Sequence, residues 1–350
     1  MTHQTRNTTP IQIIGTQRSG SNLLRVMLNE LPEISAPHPP HILKTFMPII
    51  AKYSDLNNQD NFRLLVDDVC RLIETNPVEW ENLKLDREEV ISRCDNPSLI
   101  QIFRAVYELM AEANHAKYWC CKSMDNAYFS DEMESEGVHA YYIHLVRDGR
   151  DVATSFKRVA VGEKHIYHLA TKWKSDQQSS AKVVKKYGPE RAMVIRYEDL
   201  LEDPEQVLRS ICDFIGVSFS TKVFDYFKSS EGQHTAASGF MWHNLTSPIL
   251  KGNTRKFETF LSEEEIELFE HLAGNELESY NYELIGKNAI ILNDEMITQF
   301  DEINERLKKE IRNQSHLKID LEKRRDQENL IEEIKGRKKN QPNPMDLRMS

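Results

Sequence analysis

The 350-residue chain carries 45 Lys plus Arg against 55 Asp plus Glu, a formal net charge of -10, which argues against nucleic-acid binding through bulk charge. With 39% hydrophobic and 29% charged residues it reads as soluble and globular, long enough for one large domain or two smaller ones. Five cysteines, at 70, 94, 120, 121 and 212, have neither the density nor the spacing of a disulfide scaffold or zinc site. The start, Met1 to Pro10, is polar, and no apolar run approaches the roughly 18 residues of a membrane span. Together these features predict a cytoplasmic protein without a membrane span.

Short apolar runs alternate with longer amphipathic stretches, the pattern of helices around a mostly parallel sheet. The first strand is expected at Ile11–Ile14, followed by a helix over Asn22–Leu31. A long insertion, about residues 32–117, has helical spacing in Phe62–Ile73 and Leu99–Ala113, and is expected to cover the sheet and shape a pocket. Further strands follow at Tyr118–Cys121, His139–Val146 and Ala192–Ile195, rich in Ile, Val, Tyr and Trp. Helices are expected at Val152–Arg158 and Pro204–Ile215, the latter with Asp203 as N-cap and Pro204 in the first turn. Residues 224–260 hold three glycines and a His234/His243 pair without periodicity, which suits a lid or substrate loop. From Asp294 the composition changes: 13 basic and 13 acidic residues balance, so the whole charge of -10 sits in residues 1–293. Apolar positions Met296, Phe300, Ile303, Leu307 and Ile311 break at Gln314 and resume at Leu317 and Leu321, which predicts a long surface helix or short coiled coil. Residues 1–293 are therefore expected to form the functional domain and 294–350 a charged helical tail.

The strongest local signal is the run from Ile11 to Leu24, a buried strand turning through Gly15-Thr16-Gln17-Arg18-Ser19-Gly20-Ser21-Asn22 into an amphipathic helix. Glycines at 15 and 20 let backbone N–H groups converge on an oxyanion, and the helix N-terminus adds its unpaired donors. The Gly-x4-Gly spacing copies a nucleoside-triphosphate loop, which then requires Lys and Ser or Thr. Here Ser21 and Asn22 follow instead, so the terminal-phosphate lysine and the magnesium-holding hydroxyl are missing. The cation sits inside the loop, at Arg18, with hydroxyls at Thr16, Ser19 and Ser21. This suits a nucleotide whose transferred group carries less charge than a phosphoryl group and needs no metal.

A second constellation, Arg147-Asp148-Gly149-Arg150-Asp151-Val152-Ala153-Thr154-Ser155, places a forked cation and a hydroxyl at a strand end and helix start. Together they would offer one phosphate two contacts if the turn folds back. An Arg147–Asp151 pair is the alternative. Trp173 is expected in the core.

The two motifs in this order resemble the nucleotide motifs of sulfotransferases that use 3′-phosphoadenosine 5′-phosphosulfate. Val194-Ile195-Arg196-Tyr197-Glu198-Asp199-Leu200 is similar to that family's strand and Tyr-Glu-Asp-Leu segment, and the resemblance covers about residues 10–290, closest in feel to bacterial, tyrosylprotein and carbohydrate branches. It implies an α/β fold, a P-loop NTPase-like three-layer domain with a central parallel sheet. It also implies transfer of a sulfuryl group from that co-substrate to a hydroxyl, or secondarily an amine. Residues Thr16, Gln17, Arg18, Ser19, Gly20 and Ser21 would hold the 5′-phosphosulfate, with Asn22 the doubtful member because it lacks the hydroxyl of the usual threonine. Arg147 and Ser155 would hold the 3′-phosphate, and Tyr197 would lie by the nucleoside. The resemblance puts Lys122 at the leaving oxygen. It also puts a base in Ser35-Ala36-Pro37-His38-Pro39-Pro40-His41, with His38 the first candidate and His41 the second. Lys251, Asn253 and Lys256 would supply a basic loop over the phosphates. The acceptor is a small molecule, lipid, carbohydrate or peptide, and self-association would run through the C-terminal helix. The alternatives are a P-loop small-molecule kinase, opposed by Ser21 and Asn22, and an inactive nucleotide-binding scaffold.

Overall fold

The computed structural model describes residues 8–288 and 290–337; the Pro-containing end at 341–350 and the first residues of the polar start lie outside them. Five strands, β1 (Thr9–Gly15), β2 (Ile34–Ser35), β3 (Tyr118–Cys121), β4 (Tyr141–Val146) and β5 (Ala192–Arg196), form one parallel sheet in the order β2-β3-β1-β4-β5. β1 is central, with Ile11 opposite Cys120 on one side and Ile13 opposite Ile143 on the other. β2 was not expected from the sequence: its two residues, paired at Ile34–Tyr118, are too few to show a period. β4 begins two residues after the expected His139.

The principal helices are α1 (Ser21–Asn29), α2 (Gln59–Glu74), α3 (Leu99–Ala113), α4 (Gly149–Phe156), α5 (Ile166–Tyr187), α6 (Pro204–Ile215), α7 (Ser230–Ala237), α8 (Glu263–Ser279), α9 (Asp294–Arg312) and α10 (Lys318–Gly336). Side chains of the strands alternate between the two faces of the sheet. Ile11, Ile13, Cys120, Ile143 and Leu145 pack with α1 and α6, while Ile14, Trp119, Cys121 and Tyr142 pack with α2 and α3 of the insertion. This makes the three layers implied by the sequence. α6 begins as expected, with the Asp203 side chain accepting from Gln206 N and Pro204 in the first turn. Residues 224–246 are mostly short turns of helix, including α7 and 3₁₀ turns at Thr221–Lys228 and Phe240–Thr246, while 247–256 is open loop.

The charged tail is two helices with a break where the apolar spacing breaks, at Gln314. Neither stands off in solvent. Phe300 of α9 stacks on His165 with ring centroids 4.4 Å apart, and Asn304 accepts from the N–H groups of Lys164 and His165. α10 lies against α2, with Leu330 and Ile334 fully inside the same core cluster as the insertion helices. Arg337 grips Asp68 with both terminal nitrogens, Arg71 does the same to Glu333, and Gln327 Nε2 donates to Leu72 O at 3.2 Å. The apolar stripe that suggested a coiled coil is thus occupied intramolecularly at these positions. No helix among the described residues is long and apolar enough to cross a membrane.

Because Ile334 is buried in the main core, Ile334→Ala should destabilise the protein by about 2–5 kcal/mol, the cost of a cavity in packed apolar surroundings. Urea unfolding followed by circular dichroism measures it; a loss within about 0.5 kcal/mol, as for a solvated helix, would contradict the packing.

Candidate active site

β1, β3, β4 and β5 all end at the same edge of the sheet, at Gly15, Cys121, Val146 and Arg196. From β1 the chain builds one side of the sheet through β2 and β3, then crosses to the other for β4 and β5. The carboxyl ends therefore open a crevice beside β1, where ligands of such sheets are held. Most residues singled out from the sequence follow these strand ends, and Gln17, Arg18, Gly20, Ser21, Asn22, Lys122, Arg147 and Tyr197, with Asn253 from a later loop, line a cleft of about 360 Å³; Thr16, Ser19 and Ser155 are not in its lining.

The loop after β1 is shaped by close approach. Gly15 has φ +128°, and a Cβ there would stand 2.5 Å from the Leu145 carbonyl oxygen. Gly20 has φ +85°, and a Cβ there would stand 2.3 Å from the ring of Tyr197. Only glycine meets both demands. Gly20 is also the N-cap of α1, and no side chain caps that helix, so the first N–H groups keep their donors for a ligand. Thr16 faces inward, its hydroxyl accepting from Gln177 Nε2 at 2.9 Å, while Gln177 Oε1 accepts from His144 Nε2 at 2.8 Å. Ser19 is fully buried and its hydroxyl has no hydrogen-bond partner. Asn22 Oδ1 accepts from Arg25 Nε at 3.2 Å. Arg25, fully buried, also donates to Ala36 O, Glu231 and Thr235, tying α1 to the His38 segment and to α7.

Arg18 itself has φ +72°. Its Nε donates to Ser155 Oγ at 3.0 Å and one terminal nitrogen to Met241 O at 3.2 Å. Burial, with Arg147 adding to it, pulls the guanidinium down to about 10. Arg147 donates to Arg18 O at 3.1 Å and to Asn253 O at 3.0 Å, stacks 4.5 Å from the Tyr197 ring centroid, and leaves Nε buried without a partner. Asn253 Nδ2 in turn donates to the Tyr197 hydroxyl at 2.7 Å. Ser155 and Arg147 thus meet through Arg18 rather than directly, and Arg147 also holds its own Asp151 at 3.4 Å. Arg150, the other arginine of this motif, is committed to Asp148 and Glu270 away from the cleft. Trp173 is core, as expected, and its indole N–H donates to Arg147 O at 3.2 Å.

Lys122 is 6% exposed, and burial first, then Arg25 and Arg18, pushes its ammonium down to about 7. His38 and His41 both line the cleft. Burial, with Lys122 next, holds each imidazole well below its ordinary value, so both are neutral at physiological pH. Their hydrogen-bonding differs. His41 Nδ1 lies 3.1 Å from the Ser123 hydroxyl, which can accept a hydrogen bond from Nδ1–H and leave Nε2 with its lone pair. The Asn76 amide nitrogen faces His38 Nδ1 at 3.5 Å, and His38 Nε2 is buried without a partner against Trp242, with ring centroids 4.9 Å apart.

Not all expected residues converge. Lys251 and Lys256 are exposed and lie outside the cleft lining, to which that loop contributes Leu250 and Asn253. The basic spacing read a charged face, whereas the loop turns its amide inward. Residues not singled out from the sequence are Gln177, Arg25, Asn76, Ser123 and Arg324, of which Arg25 and Ser123 adjoin the loop and the Lys122 segment while the others come from segments without a motif.

The Sulfotransferase family pattern matches residues 10–221. The chain belongs to the sulfotransferase family. Over 222 residues it is 23% identical to protein-tyrosine sulfotransferase 2 of Gallus gallus, covering 62% of this chain and 53% of that protein, so the match spans about half of the relative's length. Its fold resembles the sulfotransferase domain from the Synechococcus PCC 7002 olefin synthase, with TM-score 0.51 and 21% identity over 81% of this chain and 98% of that one. It also resembles the sulfotransferase domain from the curacin biosynthetic pathway, with TM-score 0.53 and 24% identity over 80% and 100%. Membership of this family sets the kinase alternative aside, in keeping with Ser21 and Asn22 in the loop.

Gly20→Ala should destabilise the protein more than Gly252→Ala. Both glycines have positive φ, but a Cβ at Gly252 meets nothing within 4 Å. An excess loss of about 1–3 kcal/mol is expected from the clash with Tyr197, read by urea unfolding of the two variants; equal losses would mean that the ring does not set the loop.

Proposed function

We propose that the protein is an enzyme that transfers a sulfuryl group from 3′-phosphoadenosine 5′-phosphosulfate to a hydroxyl of a small-molecule, lipid, carbohydrate or peptide acceptor, with an amine as the second choice. The observation that carries this is the convergence in one cleft of the uncapped Gly20 helix start, the Arg147–Tyr197–Asn253 cluster and a near-neutral Lys122 beside two neutral histidines. The residues fit such a co-substrate: Ser19 Oγ and Arg147 Nε are buried polar atoms without partners, which a protein keeps at a cost unless a ligand satisfies them.

When bound, the co-substrate supplies an activated sulfuryl group on a bridging oxygen. Arg18 and the first N–H groups of α1 would hold its 5′ side, and Arg147 with the proton of the Ser155 hydroxyl its 3′-phosphate. Tyr197, fixed between Arg147 and Asn253, would support the nucleoside. Lys122 would donate a hydrogen bond to the bridging oxygen as it gains charge. For the base, the Ser123 hydroxyl against His41 Nδ1 supports His41 over His38, because it leaves Nε2 free to take the proton of the attacking hydroxyl. His38 Nε2, buried against Trp242 without a hydrogen-bond partner, suits that residue to binding.

Labelled co-substrate with an acceptor library tests the reading, together with calorimetry of 3′-phosphoadenosine 5′-phosphate. Turnover is expected, Arg147→Ala should weaken the bisphosphate at least about tenfold, and His41→Ala should lower kcat by about 10²–10⁴ with His38→Ala milder. Binding without any turnover would support the inactive scaffold, and tight ATP–magnesium binding with none of the bisphosphate would overturn the proposal.

The pH profile has a stated sign. Lys122 loses its proton as pH rises through about 7 in the free protein, so kcat/KM should fall on the alkaline side from there. The histidines become protonated only well below their ordinary value, so the acid limb should lie below the ordinary imidazole range. Lys122→Arg stays charged and should remove the alkaline limb, whatever it does to the plateau.

A further inference from the structure

Helix α10 forms a wall of the cleft that no motif announced. Arg324, Gln327 and Ile331, spaced to share one face of the helix, line it together with Trp242 and His38. The helix is fixed at both ends of this face. Asp320 Oδ1 accepts from Phe240 N at 2.6 Å and Lys323 reaches Ala237 O, while Leu330 and Ile334 are anchored in the core. Arg324 is therefore held against the 237–245 segment, its guanidinium 5.1 Å from the Trp242 ring whose other neighbour is His38.

Arg324 Nε is buried and without a hydrogen-bond partner. Among the described residues no carboxylate comes within ion-pair distance of the guanidinium. The nearest acid on its own helix face, Asp320, has Oδ1 taken by Phe240 N–H and Oδ2 buried and unpartnered. Burial lowers the Arg324 guanidinium's affinity for its proton, opposed by Asp320 and then Glu328, and its charge also weighs on Arg18, Lys122 and both histidines. A half-buried arginine with an unpartnered Nε beside two other cations and two imidazoles gains by the arrival of an anion. The nucleotide side is already served by Arg18, Arg147 and the loop, and Arg324 stands on the Trp242–His38 side.

We propose that α10 completes the acceptor side of the cleft, and that the acceptor carries, beside its hydroxyl, an anionic group of the carboxylate or phosphate class that pairs with Arg324. This rests on the sulfotransferase reading above for which ligand lies on which side. Arg324 is then a specificity-determining residue supplied from outside the segment that matches the family.

The test uses the full chain with the 3′,5′-bisphosphate bound and two matched probe pairs in calorimetry: para-hydroxyphenylacetate with its neutral amide, and 3-hydroxyoctanoate with its neutral amide. The carboxylate of at least one pair should bind about tenfold or more tightly than its amide. Arg324→Ala should abolish that preference and Arg324→Lys should retain part of it, with bisphosphate affinity unchanged within about twofold. No preference in either pair would overturn the proposal and leave Arg324 a partner of Asp320 only. A preference that survives in Arg324→Ala, or an equal loss of bisphosphate affinity, would overturn it too, the second outcome making Arg324 a donor-side residue. If the wild type binds no bisphosphate, the donor reading fails instead, and the same titrations without it still read Arg324. Circular dichroism melting of the variants separates these results from misfolding.

Discussion

Arg18, Lys122 and Arg147 occupy one cleft at the carboxyl edge of the sheet, and the rest of the structure is arranged around keeping three largely buried cations together. Each lowers the proton affinity of a neighbour, and burial does more than either. The protein offsets part of this with oxygen rather than with acid. Arg18 finds a hydroxyl and a carbonyl, and Arg147 finds two carbonyls and one distant carboxylate. Carbonyls hold a guanidinium in place without neutralising it, so the positive potential stays available. The overall charge of -10 means that this attraction is local, since the charges of the outer surface oppose it and salt screens them beyond about 10 Å.

The same constraint explains why the supporting residues come from the long helix α5. Trp173 and Gln177 are one turn apart on it. One donates to the carbonyl of Arg147, and the other bridges His144 to Thr16. A single helix face therefore sets the height of the loops after β1 and β4. Tyr197 locks them together from the opposite side, packed against Gly20, stacked on Arg147 and hydrogen-bonded by Asn253. Glycine at 20 is what allows the ring to approach.

The far side of the cleft is built differently. His38 and His41 lie on a proline-stiffened segment pinned by Asn76 and Trp80 to the carbonyl of His38, and by Arg25 to that of Ala36. The 237–245 segment and α10 close over them. The tail is chemically separate in sequence, charge-balanced and poor in aromatics, yet it packs in the same core as the insertion. Its Arg71–Glu333 pair is partly exposed and adds little, whereas Arg337 meets the fully buried Asp68, so that pair joins the buried Leu330 and Ile334 in holding the tail.

The sequence by itself determined the sheet's long strands, the anion loop and the cations that follow each strand, because a strand, a glycine turn and a helix start are written within a few adjacent residues. Four of five strands and the positions of Arg18, Lys122, Arg147 and Tyr197 were legible for that reason. Tertiary structure alone decided the partners. Ser155 serves Arg18, Asn253 rather than Lys251 or Lys256 turns inward, Ser123 against one ring and Trp242 against the other distinguish two histidines three residues apart, and Arg324 enters from a tail that reads in sequence as a long surface helix or short coiled coil. Each of those depends on contacts between segments far apart in the chain. No local period records such a contact, because it is set by which faces the packed layers bring together.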